Sequence, residues 1–343
     1  MVKRLLATAI ASVLLAACTV GPDYVRPGLP AVDGFANSAA PQATQENLPE
    51  VDIEFWRSFG DPVLEQLVDE ALFANHDLRI AWARYQQANA LLRNARYQRL
   101  PTLGVSAEAS ESRSSADQLP GAGRAERDVE QYSAGLSVLW ELDFFGRIRR
   151  GVEAQRADTQ ASAADLAALQ VVLVGDLAET YFRRRGLQEQ LRIAQRNADN
   201  QAKTLRLIDL RRSAGIGSAF EVDRATTQLE NTRASVPALQ SAIALSTHRI
   251  AVLVGQAPET VLAGLDSDTS LPSLPETIAT GTPAELLRRR PDVTAAERRL
   301  AAATSRVGVA TADLFPRFTL GGLIGTQALD AGARRTPLTD LHF

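Results

Sequence analysis

Cys18 is the one residue whose type and setting point directly to a covalent reaction. It is the single cysteine in 343 residues, and it ends the run Leu15-Ala16-Ala17-Cys18. Upstream stand Lys3 and Arg4, then an apolar stretch from Leu5 to Leu15 that is too short to cross a bilayer. A basic start, a short apolar stretch and small residues before a cleavage point make a secretory signal over residues 1–17. The cysteine at its end reads as a lipobox, in which signal removal leaves Cys18 as a diacylated N-terminus. The other reading is an ordinary secretory signal followed by a chance cysteine. Thr19, where Asp could have followed, favours sorting to the outer membrane. One cysteine permits no internal disulfide, so the fold must rest on packing.

The remaining candidate chemistry is thin. His76, His248 and His342 are scattered along the chain. There is no Gly-rich phosphate loop, no cluster with metal-ligand spacing and no nucleophile elbow. Arg288-Arg289-Arg290 is a charge run of the kind that forms a solvated face or meets carboxylates. Catalysis, a metal site and a cofactor other than the Cys18 lipid are therefore not expected. A formal charge of -3 and a pI near 5.8 give no reason to propose a nucleic-acid partner. Ala, Leu, Gln, Arg and Glu dominate from Asp61 to Gly255, and aromatics make up only 6% of the chain. That is the composition of long packed helices.

The periodicities say how such helices are arranged. From Gly21 to about Glu54 the chain is rich in Pro, Ala, Asn and Gln, and reads as a tether that wraps a surface or stays mobile. Leu78, Ala81, Tyr85, Ala88, Leu92 and Ala95 then form a heptad stripe, closed by Leu100-Pro101. The same stripe returns at Val293, Ala296, Leu300, Ala303, Val307 and Ala310, closed by Phe315-Pro316. Asp77 matches Asp292 at an offset of 215 residues, and Pro101 matches Pro316 at the same offset. An internal repeat is expected.

After Pro101 the period becomes two. Leu103, Val105, Ala107 and Ala109 alternate with small or polar residues. So do Tyr132, Ala134, Leu136, Val138, Trp140 and Leu142, with only Leu139 interrupting the polar row. Each strand has the length and two-faced pattern of a transmembrane β-strand. A hairpin of a soluble sheet packed on its apolar side has the same pattern.

Arg147 to Arg212 contains no proline, and as one helix it reaches roughly 100 Å at 1.5 Å per residue. Ser213-Ala214-Gly215-Ile216-Gly217-Ser218 is the reversal, with glycines for left-handed backbone and Ser218 to cap the return helix. That return helix carries Pro237, expected to bend it, and stops at Gly255. The second repeat helix continues the return path, so the outgoing helix is expected beside two shorter ones.

Several stretches carry a resemblance. They are Cys18-Thr19-Val20-Gly21-Pro22-Asp23-Tyr24, then Phe55-Trp56 with Phe59-Gly60-Asp61-Pro62. Further along stand Trp140-Glu141-Leu142-Asp143-Phe144-Phe145-Gly146-Arg147 and Leu287-Arg288-Arg289-Arg290-Pro291-Asp292-Val293. With the strands, the long helices and the duplication, the chain resembles the TolC-like outer-membrane efflux family, in its lipoprotein (NodT-type) branch. The resemblance implies a mainly α fold, with long helical hairpins forming an α-barrel and strands given to a membrane β-barrel. It implies a homotrimer in which each protomer gives four strands to a shared twelve-stranded barrel. The implied partners are the chain itself, a periplasmic adaptor (membrane fusion) protein, an inner-membrane pump and outer-membrane lipid. The implied role is a passive exit duct for drugs or other small molecules, lipid-anchored in the outer membrane and extending into the periplasm. The adaptor-contact tip implied for this sequence comprises Arg211, Arg212, Gly215, Gly217, Ser218 and Asp223.

The expected order is a signal peptide over residues 1–17, a lipid-anchored tether over 18–60 and a first repeat helix over 61–100. A membrane β-hairpin over 101–145 and a long periplasmic helical hairpin over 146–255 follow. An equatorial linker over 256–281, a second repeat helix over 282–315 and a truncated strand and tail over 316–343 complete it. After Pro316 the chain departs from the family pattern. Phe318 to Leu323 begins a third strand, but alternation is lost from Asp330, so the fourth strand, the second long helix and the second tip are expected to be missing. A premature stop, a frameshift or a fragment would each produce this. The competing expectation is therefore a non-functional truncated protomer, or a structural or interaction module without conduction.

Overall fold

A computed structural model describes residues 19–28, 54–265, 282–331 and 334–338. Cys18, most of the linker expected to close at residue 281, and His342 lie outside the described residues.

The helices start and stop where side chains satisfy their ends. Asp61 accepts from the N–H groups of Val63 and Leu64 at 3.0 and 3.2 Å, and Pro62 takes the first helical position of α1, Pro62–Ala74. Asn75 then breaks the chain, and its side chain accepts from Asp77 and Leu78 to start α2, His76–Tyr97. One helix was expected over 61–100, yet there are two. The Asn75 amide also donates to the Leu253 carbonyl at 2.9 Å, a partner 178 residues away, and this pins an extended backbone at the break.

β1, Thr102–Arg113, and β2, Asp128–Leu142, follow. α3, Arg147–Ser213, then runs unbroken for 67 residues, roughly 100 Å. α4, Ala219–Val254, continues through Pro237 for 36 residues and ends at Gly255, whose φ of +68° suits a glycine. α5, Pro258–Leu265, lies in the stretch expected as linker. α6, Pro283–Arg289, and α7, Pro291–Ala312, replace the single helix expected over 282–315. Arg290 is extended there (φ -62°, ψ 116°), the conformation that a proline imposes on the residue before it.

α2 and α7 begin and end at the same 215-residue offset, His76 against Pro291 and Tyr97 against Ala312. The duplication read from the stripe is thus a structural repeat. β3, Phe318–Ala331, opens the second copy's sheet segment, and β4, Arg334–Leu338, pairs with it. A fourth strand was expected to be missing because side-chain alternation fails from Asp330. Backbone pairing makes the strand regardless of alternation, and Pro337 stands on the sheet edge, where a missing N–H is tolerated. The sheet order is β1-β2-β3-β4, antiparallel throughout.

The chain divides into two compact units. One comprises Met1–Pro27, Gln86–Ala161 and Ala295–Phe343, the other Gly28–Tyr85 and Ser162–Thr294. In the first, Ala157 of α3 packs on Ala301 and Ala302 of α7, small residues that let two helices approach closely, and Arg306 of α7 pairs with Asp158 of α3. In the second, Leu64, Leu67, Val68 and Ala71 of α1 meet Leu173, Leu177 and Tyr181 of α3 and Ile250 and Val254 of α4. Arg184 is buried there with its Nε donating to Thr247 Oγ1 and its Nη1 to the Leu265 carbonyl, both at 2.9 Å. A buried guanidinium held this way satisfies its donors without solvent.

Candidate functional site

Strand register decides what the sheet can face. Directly opposed residues of antiparallel strands share a face. Val105 opposes Leu136, which opposes Ile324, and Leu103 opposes Val138. Ala109 opposes Tyr132, Trp140 opposes Leu320, and Leu142 opposes Phe318. One face of β1–β3 is therefore apolar from Leu142 to Tyr132, with Thr326 opposite Ala134 its one polar side chain. The other carries Thr102, Ser106, Glu108, Ser133, Ser137, Thr319 and Gln327, interrupted by Leu139, Leu323 and Leu329. The apolar face is open: Val105 is 85% exposed and Leu323 on the other face 60%. Among the described residues no helix packs on the apolar face at Val105, whose exposure is that of a surface residue.

From Tyr132 to Leu142 the strand rises about 34 Å, or about 26 Å across a bilayer at a tilt near 40°, which matches the roughly 25 Å apolar band of membrane barrels. Aromatic rings stand at both limits, Tyr132 at one and Trp140 and Phe318 at the other. The Trp140 indole N–H donates to the Arg99 carbonyl at 3.0 Å. Beyond Tyr132 the same face turns charged, with Glu111 opposite Glu130 and Arg113 bound to Asp128.

The stretch from Glu141 to Arg147 joins sheet to helix. Glu141 accepts from the Arg147 guanidinium at 2.8 and 2.7 Å. Asp143 accepts from the N–H groups of Ile148 and Arg149 at 3.0 and 2.9 Å, filling the orphan donors of the first turn of α3. Gly146 between them is at φ +83°. Trp-Glu-Leu-Asp-Phe-Phe-Gly-Arg is thus a strand-to-helix joint, and each polar residue has a bond to make.

At the far end of α3 the reversal is a hydrogen-bonded glycine cap. Ile216 N–H donates to the Arg211 carbonyl and Gly215 N–H to that of Arg212, with Gly215 at φ +77°. Ser218 and Glu221 form a reciprocal capping box at the head of α4. The Ser218 backbone N–H, then its hydroxyl, hold the Glu221 carboxyl below its ordinary value. Gly217 does not adopt left-handed backbone as expected. It is required by closeness, because a Cβ there would stand 2.9 Å from the Arg212 backbone nitrogen. Arg212 pairs with Asp209 at 3.1 Å, while Arg211 and Asp223 are exposed.

The sequence reading missed the apolar part of this tip. Ile216 and Phe220 are 70% and 72% exposed, and Leu207 and Leu210 stand open beside them. Their exposure, on the turn and on the helix ends that flank it, is the signal, and periodicity alone assigns such residues to a packed stripe. Elsewhere, Arg290 is occupied by Asp292 at 2.6 Å, as expected of a charge run meeting a carboxylate, and its guanidinium lowers the Asp292 carboxyl to about 2. His76 stands beside Arg79 at the start of α2, and His248 on α4.

A mainly helical chain with a 67-residue helix joined to an antiparallel sheet of this kind has the fold of TolC-like outer-membrane channels. The outer-membrane channel OprN superposes with a TM-score of 0.80 at 41% identity, over 93% of this chain and 71% of that one. The model of the family described as outer membrane efflux protein matches residues 67–256 and 282–340, and the chain belongs to that family. Among relatives, the pyoverdine export outer membrane protein OpmQ of Pseudomonas aeruginosa is 34% identical over 328 residues, 95% of this chain and 67% of that protein. Nodulation protein T of Rhizobium leguminosarum bv. trifolii is 31% identical over 91% of this chain and 65% of its own length. The chain thus spans about two thirds of the length of the relatives it matches.

Proposed function

We propose that this chain acts as the outer-membrane exit duct of a tripartite efflux system, passive and without catalysis or cofactor. The observation that carries the proposal is the registered apolar face of β1–β3, a bilayer's thickness in height, in a sheet whose second strand leads straight into α3. Three copies of a four-stranded sheet would supply twelve strands. Closure matters, because an open edge leaves backbone groups unsatisfied in hydrocarbon. In this reading Cys18 carries lipid, the chain is anchored in the outer membrane, and the α3–α4 hairpin extends into the periplasm. A periplasmic adaptor meets the tip around Arg211, Arg212, Gly215, Gly217, Ser218 and Asp223, and an inner-membrane pump supplies the cargo. Relatives named for pyoverdine export favour drugs and other small organic molecules as cargo.

The exposed Ile216 and Phe220 at the reversal between α3 and α4 favour a second reading, a non-conducting interaction module. Conductance of the purified chain in liposomes, with its mass in detergent, separates the two. Ion flux from a trimer supports the duct, whereas a silent monomer removes it and leaves the family membership untouched.

A further inference from the structure

Leu139 is the residue that breaks the polar row of β2, and it stands opposite Thr102 on β1 and Gly321 on β3. Two positions on, Glu141 stands opposite Thr319 on the same face. With Leu100, Arg147 and Ile148, these side chains line a cleft of about 290 Å³. The cleft lies within a single compact unit, where α2 enters the sheet and α3 leaves it.

Its shape is set by bonds already made. The Trp140 indole N–H holds the Arg99 carbonyl, and the Leu100 N–H donates to the Tyr97 carbonyl at 2.9 Å, which fixes the turn carrying Leu100. Arg147 is fixed by its two bonds to Glu141. Ile148 is buried, whereas Leu100 and Leu139 are 57% and 58% exposed. Apolar side chains held open to water in a preformed cleft favour a ligand that covers them, at little ordering cost.

The ion pair says what such a ligand carries. Arg147 commits Nε and Nη2 to Glu141, which leaves Nη1 to donate elsewhere. Each Glu141 oxygen accepts one of those bonds and keeps a lone pair for another donor. The two side chains, 27% and 24% exposed, remain within reach of solvent. The pair sums to no net charge. A lone cation or anion entering the cleft therefore gives up hydration without a net counter-charge to offset it. A molecule bearing an ammonium and a carboxylate meets both partners, the ammonium at Glu141 and the carboxylate at Arg147. The Thr102 and Thr319 hydroxyls, which donate or accept as needed, stand in the same lining.

We propose that this cleft binds small amphipathic zwitterions, with the apolar body on Leu100 and Leu139 and the charged end on Glu141 and Arg147. Its use as a halting point for cargo rests on the duct reading, in which the polar face lines the lumen. The binding itself requires only one protomer.

The full chain, reconstituted in lipid vesicles, is titrated with Nε-dansyl-lysine, and the anisotropy is read above that of empty vesicles. Dansylglycine supplies an anion and dansylcadaverine a cation on the same ring system. Wild type is expected to bind the zwitterion about tenfold more tightly than either. Leu139→Ser, at an exposed position, weakens that binding about tenfold. Glu141→Gln leaves Arg147 an uncompensated cation, so dansyl-lysine binding falls while dansylglycine binding rises above the wild-type level. A misfolded variant would lose every probe, so this exchange of preference reports the site. Equal binding of the three probes by wild type overturns the proposal, as does dansyl-lysine binding unmoved by Leu139→Ser. Conductance is recorded on the same vesicles. Flux without zwitterion binding overturns the cleft alone, whereas binding without flux upholds the cleft and removes the duct.

Discussion

The Tyr181 hydroxyl donates to Asp61 Oδ2 at 2.7 Å, joining the middle of α3 to the head of α1 inside the core of one unit. Asp61 meanwhile caps α1 through its other oxygen. Replacing it with alanine removes the cap, about 1 kcal/mol, and strands a buried hydroxyl, about 1–3 kcal/mol. Asp61→Ala is thus expected to lose about 2–4 kcal/mol in denaturant unfolding. Tyr181→Phe, which spares the cap, loses less. Burial and then the bond to Asp61 push the Tyr181 hydroxyl above its ordinary value. The neutral phenol is the favoured form, so its stabilisation is complete below about pH 10 and lost as pH rises beyond that. Wild type should therefore weaken above pH 10 more steeply than Tyr181→Phe, in unfolding curves followed by circular dichroism.

The two faces of the sheet make opposite predictions for one substitution. Val105 lies between Leu136 and the apolar row, whereas Ser106, its neighbour, lies opposite Gly135 on the polar face. Val105→Lys places a cation where the bilayer is expected, at a cost of about 2–4 kcal/mol near the midplane. Ser106→Lys should be tolerated. Insertion into liposomes, read as the fraction of chain resistant to carbonate extraction, should fall for the first variant alone. Equal losses would mean that the apolar face does not meet lipid.

These predictions use elements that were unevenly legible. The span of α3 and the repeat offset could be read directly, because helix length and heptad register are local patterns. The break at Asn75 could not, since the carbonyl that pins it belongs to Leu253 on α4. β4 escaped for a related reason: a strand can be made by its neighbour's backbone while its own Arg-Arg-Thr-Pro-Leu sequence shows no alternation. Gly217 was recognised as a turn residue but for the wrong cause, because a close approach to Arg212 exists only once both helices are built. The stretch after Cys18 read as a tether, since Arg150, which holds it down, lies 127 residues beyond Asp23.

At the tip, the capping box makes order depend on acid. The bonds from Ser218 lower the Glu221 carboxyl. A lowered carboxyl stabilises the folded form above its unfolded value, near pH 4.3, and that support fades as pH falls through the lowered value. The protection factors of the Ser218 and Glu221 amides, taken against the intrinsic exchange rate at each pH, should therefore fall below about pH 4 in wild type. Glu221→Gln should show lower protection factors already at pH 7 and little further change in them on acidification. An acid-insensitive wild-type tip would contradict the box.

The exposed apolar residues of the tip provide the sharpest test of a partner. Ile216 and Phe220 are more than two-thirds exposed, so truncating them removes little from the core, and Ile216→Ser with Phe220→Ser should leave unfolding within about 0.5 kcal/mol of wild type. Water, however, is a poor neighbour for two large apolar side chains four residues apart, one on the turn and one in the first turn of α4. A docked adaptor would bury them, and each is worth about 1.5–3 kcal/mol when fully covered. Loss of both should weaken adaptor binding at least tenfold, measured by surface plasmon resonance against the immobilised chain, with thermal midpoints unchanged. Gly217→Ala should weaken it by another route, since the added Cβ forces the Arg212 backbone to move and reshapes the turn. That variant should lower protection at Gly215 and Ile216 in amide exchange, whereas the double serine variant should not. If both bind the adaptor as wild type does, the tip is only a turn, and the adaptor must be sought on the flanks of α3 and α4.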